Sequence, residues 1–128
     1  MKRLYISIGL IALMAALSGL HIWRLTAFTG QISGLLTRAQ ALAAEEDWEQ
    51  AARLTHQARE RWSEEEGYLH LTLRHTDTDA IQLSMDEALA FLEGGEKQPA
   101  EYAAVNARLI GQLELLAGAE LPTLTNLL

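Results

Sequence analysis

LYISIGLIALMAALSGLHIW, residues 4 to 23, holds no acid, amide, lysine or arginine. At about 1.5 Å per residue a helix of this length reaches roughly 30 Å, the thickness of a bilayer's hydrocarbon core. The segment therefore reads as a membrane span. A cleaved secretory signal has a shorter apolar core, about 7 to 15 residues, followed by a small-x-small site. Here the best such site, Ala16-Leu17-Ser18, lies inside the run, and Leu20, Ile22 and Trp23 continue it. An uncleaved signal-anchor is expected.

The flanks give an orientation. Lys2 and Arg3 join the amino terminus on one side, while Arg24 stands alone on the other until Arg38. Excess positive charge stays in the cytoplasm, so the N-terminus is expected inside and the remainder outside the cell membrane. Tyr5 and Trp23 fall near the two ends of the span, where amphipathic rings favour the headgroups. His21, within a turn of Arg24, reads as an interfacial residue rather than a proton relay.

Seven basic residues (Arg38, Arg53, Arg59, Arg61, Arg74, Lys97 and Arg108) stand against all seventeen acids in residues 25–128, a net charge of −10. Such a surface repels phosphate, and nucleic acid is not expected as a partner. The absence of cysteine excludes disulfides, a lipoprotein anchor, a thiol nucleophile and thiolate metal sites. Low aromatic content with abundant Ala, Leu, Glu and Gln favours helices. The region is long enough for one domain with a modest core.

Apolar residues Ile32, Leu35, Leu36, Ala39, Leu42 and Ala43 repeat at the spacing of one helical face, giving a helix over residues 31–46. Thr29-Gly30 and Gly34 before it mark a break or a weak point. Asp47 is placed to cap a second helix, with Glu49 at its positive end. Trp48, Ala51, Ala52, Thr55, Ala58 and Trp62 line that helix's packed face. Gly67 ends or kinks it. A third series runs from Leu69 through Leu73, Ala80, Leu83, Ala88, Phe91 and Leu92 to the stop at Gly94-Gly95. The string Tyr68 to Arg74 alternates like a strand, but a lone strand cannot satisfy its backbone and the helical reading is kept. Pro99 suits the first turn of a last helix, with Tyr102, Val105, Leu109, Leu113 and Leu116 inward and Gly118 and Pro122 ending it.

The expected fold is all-α: a transmembrane helix followed by a small antiparallel bundle of about four helices. Residues 1–25 form a cytoplasmic stub and anchor, residues 26–120 the extracytoplasmic bundle, and residues 121–128 an apolar tail packed on the domain or on a partner. Gly30-x-x-x-Gly34 has the spacing of small residues in membrane dimers and allows a homo-oligomer, although it lies past Trp23 and Arg24. Asp47 to Ala52 is similar to the turn of a tetratricopeptide unit, but no second copy follows at that family's period of about 34 residues.

No serine-histidine-aspartate spacing, phosphate loop or HExxH motif is present, so no enzyme, catalytic residue or cofactor is expected. His75 and Asp79 are four apart and share a helical face. Two ligands do not make a metal site, and a hydrogen bond between them or a backbone cap is the expected role, with no metal assigned. Asp77-x-Asp79 lacks the glycine and glutamate of a calcium loop. The remaining candidates for interaction or structure are Trp48, Trp62, His75, Asp79 and Asn126.

A basic start, one apolar span, Trp48 and Trp62, His75-Thr-Asp-Thr-Asp79-Ala-Ile81, and Leu121-Pro-Thr-Leu-Thr-Asn126-Leu-Leu128 follow in order. The chain resembles a domain-of-unknown-function family of small single-pass membrane proteins from Gram-positive, spore-forming bacteria. Trp62, His75, Asp79, Ile81 and Asn126 are the matching positions. The resemblance implies an extracytoplasmic helical domain and supplies no mechanism. The function expected is a tethered, non-enzymatic module that binds another membrane or envelope protein. The alternative is a ligand or metal sensor centred on His75 and Asp79.

Overall fold

A computed structural model describes the backbone of residues 1–72 and 75–127 and the side chains of residues 1–69 and 76–118. Five helices follow in order: α1 Lys2–Ala44, α2 Trp48–Glu64, α3 Glu66–Thr72, α4 His75–Glu93 and α5 Pro99–Leu127. The fold is all-α, with a long apolar N-terminal helix leading into a bundle. The second half of α1, with α2, α4 and α5, packs as a ring in which α1 touches α2 and α5, and α4 touches the same two.

The anchor and the first bundle helix are one element of 43 residues, about 65 Å long at 1.5 Å per residue. Thr29, Gly30 and Gly34 do not break it. A glycine costs a helix about 1 kcal/mol, less than the burial of Leu25, Phe28, Ile32 and Leu36 returns at roughly 1.5 to 3 kcal/mol each. Burial begins at Leu25. The boundary expected near residue 25 is thus a change of surroundings along a continuous helix.

The turn into α2 is a Schellman closure. The amide of Glu46 donates to Ala43 O (3.0 Å) and that of Asp47 to Leu42 O (2.9 Å). Glu46 takes the left-handed conformation, φ 65°, where glycine is usual. Asp47 then caps α2 as its position in the sequence implies, its carboxylate accepting from the amide of Gln50 at 3.3 Å. Leu54 joins the expected buried face of α2, while Trp48 is only partly buried.

The third expected helix is described in two pieces: α2 stops at Glu64, Gly67 lies inside the short α3, and α4 is described from His75. Ala88 and Leu92 are buried as expected, but Ile81 and Met85 take the inward face in place of Leu83, which is 61% exposed. α5 buries every residue expected to face inward, and its backbone stays helical through Gly118 and Pro122 to Leu127. Pro122 has no N–H and so removes one helical hydrogen bond, the one to the carbonyl of Gly118, without ending the helix.

The core has two layers. The layer nearer the apolar N-terminal segment contains the large side chains Trp62, Phe28, Met85, Leu109 and Leu113. The far layer is built on Ala39, Ala43, Ala51 and Ala88, closed by Leu92 and Tyr102. Tyr102 is 1% exposed and its hydroxyl has no hydrogen-bond partner among the described residues. Thr55 beside it donates to Ala51 O instead, at 2.9 Å. Burial pushes the Tyr102 phenol up to about 12. A raised folded value means the stability is intact below about pH 10, the unfolded phenol's value, and is lost as pH rises through about 12. Tyr102→Phe is expected to leave stability unchanged or raise it by up to about 1 kcal/mol and to flatten this alkaline loss, read by urea titration at stepped pH.

Candidate functional site

The chain's most connected polar cluster lies where the bundle meets the apolar segment. Glu65, the residue closing α2, accepts from Arg24 of α1 at 2.7 Å and from Arg61 at 3.3 Å. The Arg24 guanidinium also lies over the ring of Tyr68 in α3, 4.2 Å from its centre. His21, one turn earlier in α1, hydrogen-bonds the Tyr68 hydroxyl through Nδ1. Beneath this polar cap, Phe28 stacks on Trp62 with ring centres 5.8 Å apart, and Arg61 covers Phe28 at 5.1 Å. α2 and α3 are both fastened to the same stretch of α1, so the floor of the bundle is fixed to the helix that leaves it.

Glu65 is mostly enclosed, its side chain 16% exposed. The Arg24 guanidinium holds its carboxyl below the usual carboxylate range, with Arg61 adding and burial opposing. A lowered folded value means that this stability is present above the unfolded glutamate value, about 4.3, and is lost as pH falls through the folded value. Arg24 is half exposed. Glu65→Gln is therefore expected to cost only about 1 kcal/mol at neutral pH, and the difference from wild type should vanish on acidification. Denaturation curves at pH 7 and pH 3 check both.

Beside this corner an open groove of about 480 Å³ runs between α1 and α2, bordered by Gly30, Gly34 and Arg38 on one side and by Gln57, Glu60 and Glu64 on the other. Gly30 and Gly34 are exposed, and a Cβ at either would meet nothing within 4 Å. The bundle itself does not need glycine there. Gly30→Ala and Gly34→Ala are each expected to stabilise the isolated chain by about 0.5 to 1 kcal/mol in thermal melts, since alanine is the better helix former.

The residues singled out from sequence fall in different places. Trp62 is in the layer nearer the apolar segment. Trp48 is at the far end, partly buried, with the Lys97 ammonium 5.9 Å from its ring centre. Asp79 is exposed on α4. His75 opens α4 and Asn126 lies on the last turn of α5, but the side chains of both are outside the described residues. Among the described residues no three His, Asp or Glu side chains gather in a way that could hold a metal ion. Sequence reasoning missed Glu65 and Asn106. The latter is fully buried on α5, its amide donating to Leu36 O and to Gln40 Oε1 of α1, each at 3.0 Å. The available signal was its register: it follows Val105 on the apolar face.

Residues 20–115 match a family model described as a domain of unknown function (DUF4363). The match spans the bundle and the end of the apolar run and stops short of Asn126. No curated protein and no solved structure matches the chain.

Proposed function

The chain belongs to the DUF4363 family, and we propose that it is a single-pass membrane protein holding an acidic helical bundle outside the cell, as a non-enzymatic interaction module for another membrane or envelope protein. One observation carries the membrane part. Leu4, Ile6, Leu10, Leu13, Leu17 and Trp23 are each more than half exposed, and the most apolar window of α1, with mean hydropathy 1.9, has no buried residue. Water does not tolerate an apolar surface of that extent; lipid does. Lys2, Arg3 and the amino terminus on one flank, against Arg24 alone close to the other, support the orientation.

The interaction role is supported by the way the bundle is mounted. The Arg24, Glu65 and Tyr68 contacts fix its floor at the end of the apolar run. The groove with Arg38 on one wall and Glu60 and Glu64 on the other is then held at a set height above the headgroups. Such a surface suits a partner that is itself fixed in or near the membrane. A photo-crosslinker replacing Gln57 in native membranes is expected to capture a discrete protein. Capture of lipid alone would overturn this reading.

A further inference from the structure

We propose that the C-terminal end of α5, residues 119–127, enters the headgroup layer of the leaflet from which α1 emerges, giving the protein a second, shallow lipid contact. The inference rests on the membrane reading of α1, and its argument is one of register. Asn106 of α5 bonds Leu36 and Gln40 of α1, and the two helices run antiparallel. Counting both ways from these bonds, Leu121 stands level with residues 21 to 25 of α1, and Leu127 level with residues 15 to 19. Leu116, packed in one cluster with Leu25 and Phe28, agrees with that count.

The register with α4 leads to the same conclusion independently. Ser84 bonds Gln112 at 2.8 Å and Glu87 pairs with Arg108 at 2.8 Å. Continued downward, this pairing reaches His75, the first residue of α4, at about Leu121 of α5. The polar floor at Arg24 and Glu65 is at that level too. The final residues of α5 therefore pass beyond the polar floor and, at 1.5 Å per residue, reach roughly 10 Å below it.

The composition of this end fits that depth. Leu121, Leu124 and Leu127 are apolar, Glu120 is the last ionisable side chain, and it falls at the level of Arg24. The segment is far too short to span a bilayer. Thr123, Thr125 and Asn126 are polar, and Pro122 leaves the Gly118 carbonyl without its helical donor, a group that the hydrated interface can satisfy and hydrocarbon cannot. Amphipathic helices lying in the interface bury an apolar face about 5 to 10 Å deep at the headgroup boundary, and the end of α5 reaches the same layer from above.

Because the chain has no cysteine, single cysteines carrying an environment-sensitive fluorophore can be placed in the full-length protein. Labels at Thr123, Leu124 and Thr125 in turn sample the whole circumference of the helix, with Met14 marking the span and Gly95 the far loop. In vesicles of phosphatidylcholine containing shallow or deep nitroxide-labelled phosphatidylcholine, the Met14 label should be quenched by the deep probe. At least one α5 label should lose about half its emission or more to the shallow probe, with the Gly95 label unaffected. Quenching at Met14 with all three α5 labels behaving like Gly95 overturns this inference and leaves the anchor standing. Labels shielded from water but not quenched by lipid overturn it equally, showing a protein contact. No quenching at Met14 removes the membrane reading, and this inference with it.

Discussion

Trp62→Ala is expected to lower the unfolding free energy by about 3 to 5 kcal/mol, a large part of the roughly 5 to 15 kcal/mol available to a domain of this size. The ring is 1% exposed, stacks on Phe28, and lies in the layer shared by α1, α2, α4 and α5. Removing it leaves a cavity that no single neighbour can fill, because the polar cap at Arg24 and Glu65 holds the surrounding helices in place. Trp48→Ala is the internal comparison. That ring is only partly buried at the far end, and its loss should cost about half as much or less. Urea unfolding of the full chain in mild detergent, followed by circular dichroism, reads both. Equal effects of the two substitutions would show that the layers are wrongly assigned.

Asn106→Asp is expected to be nearly as damaging, by about 3 to 5 kcal/mol at neutral pH. The amide donates to two acceptors, Leu36 O and Gln40 Oε1, in a fully buried place. A carboxylate there would face two oxygens with no proton to offer. Its folded value would rise above the unfolded 3.9, so the variant's deficit should shrink as pH falls toward 4 and the acid regains a proton. Asn106→Leu fills a similar volume without the charge and should cost about 1 kcal/mol. An Asn106→Asp deficit that does not change between pH 7 and pH 4 would mean that the site is open to water. A single buried polar residue between packed helices fixes their register, and the same bonds set the depth reached by the end of α5.

Features with a local cause were legible from the residues alone. The apolar run, the Asp47 cap, the Gly94-Gly95 stop, the Pro99 start and the inward face of α5 each follow from a few adjacent side chains, and the structure places them as read. Features that depend on distant partners were not. The continuity of α1 through Gly30 and Gly34 is decided by burial against α2 and α5. On α4, Ala88 and Leu92 face inward as read, but Ile81 and Met85 rather than Leu83 complete that face, a choice made by packing against α2 and α5. Glu65 is drawn into the polar corner by Arg24, 41 residues earlier, and is enclosed there. The polar corner that mounts the bundle is a product of that long-range pairing.

The most direct test of the central claim, an acidic bundle held outside the cell by α1, is labelling of a cysteine at Gly95 with a membrane-impermeant maleimide in spheroplasts. The position is open, with nothing within 4 Å of an added Cβ, and the chain offers no competing thiol. The expected result is complete labelling of intact spheroplasts, with no gain on permeabilisation and all of the labelled chain in the washed membranes. Labelling that appears only after permeabilisation, or labelled chain released into the soluble fraction, would contradict it.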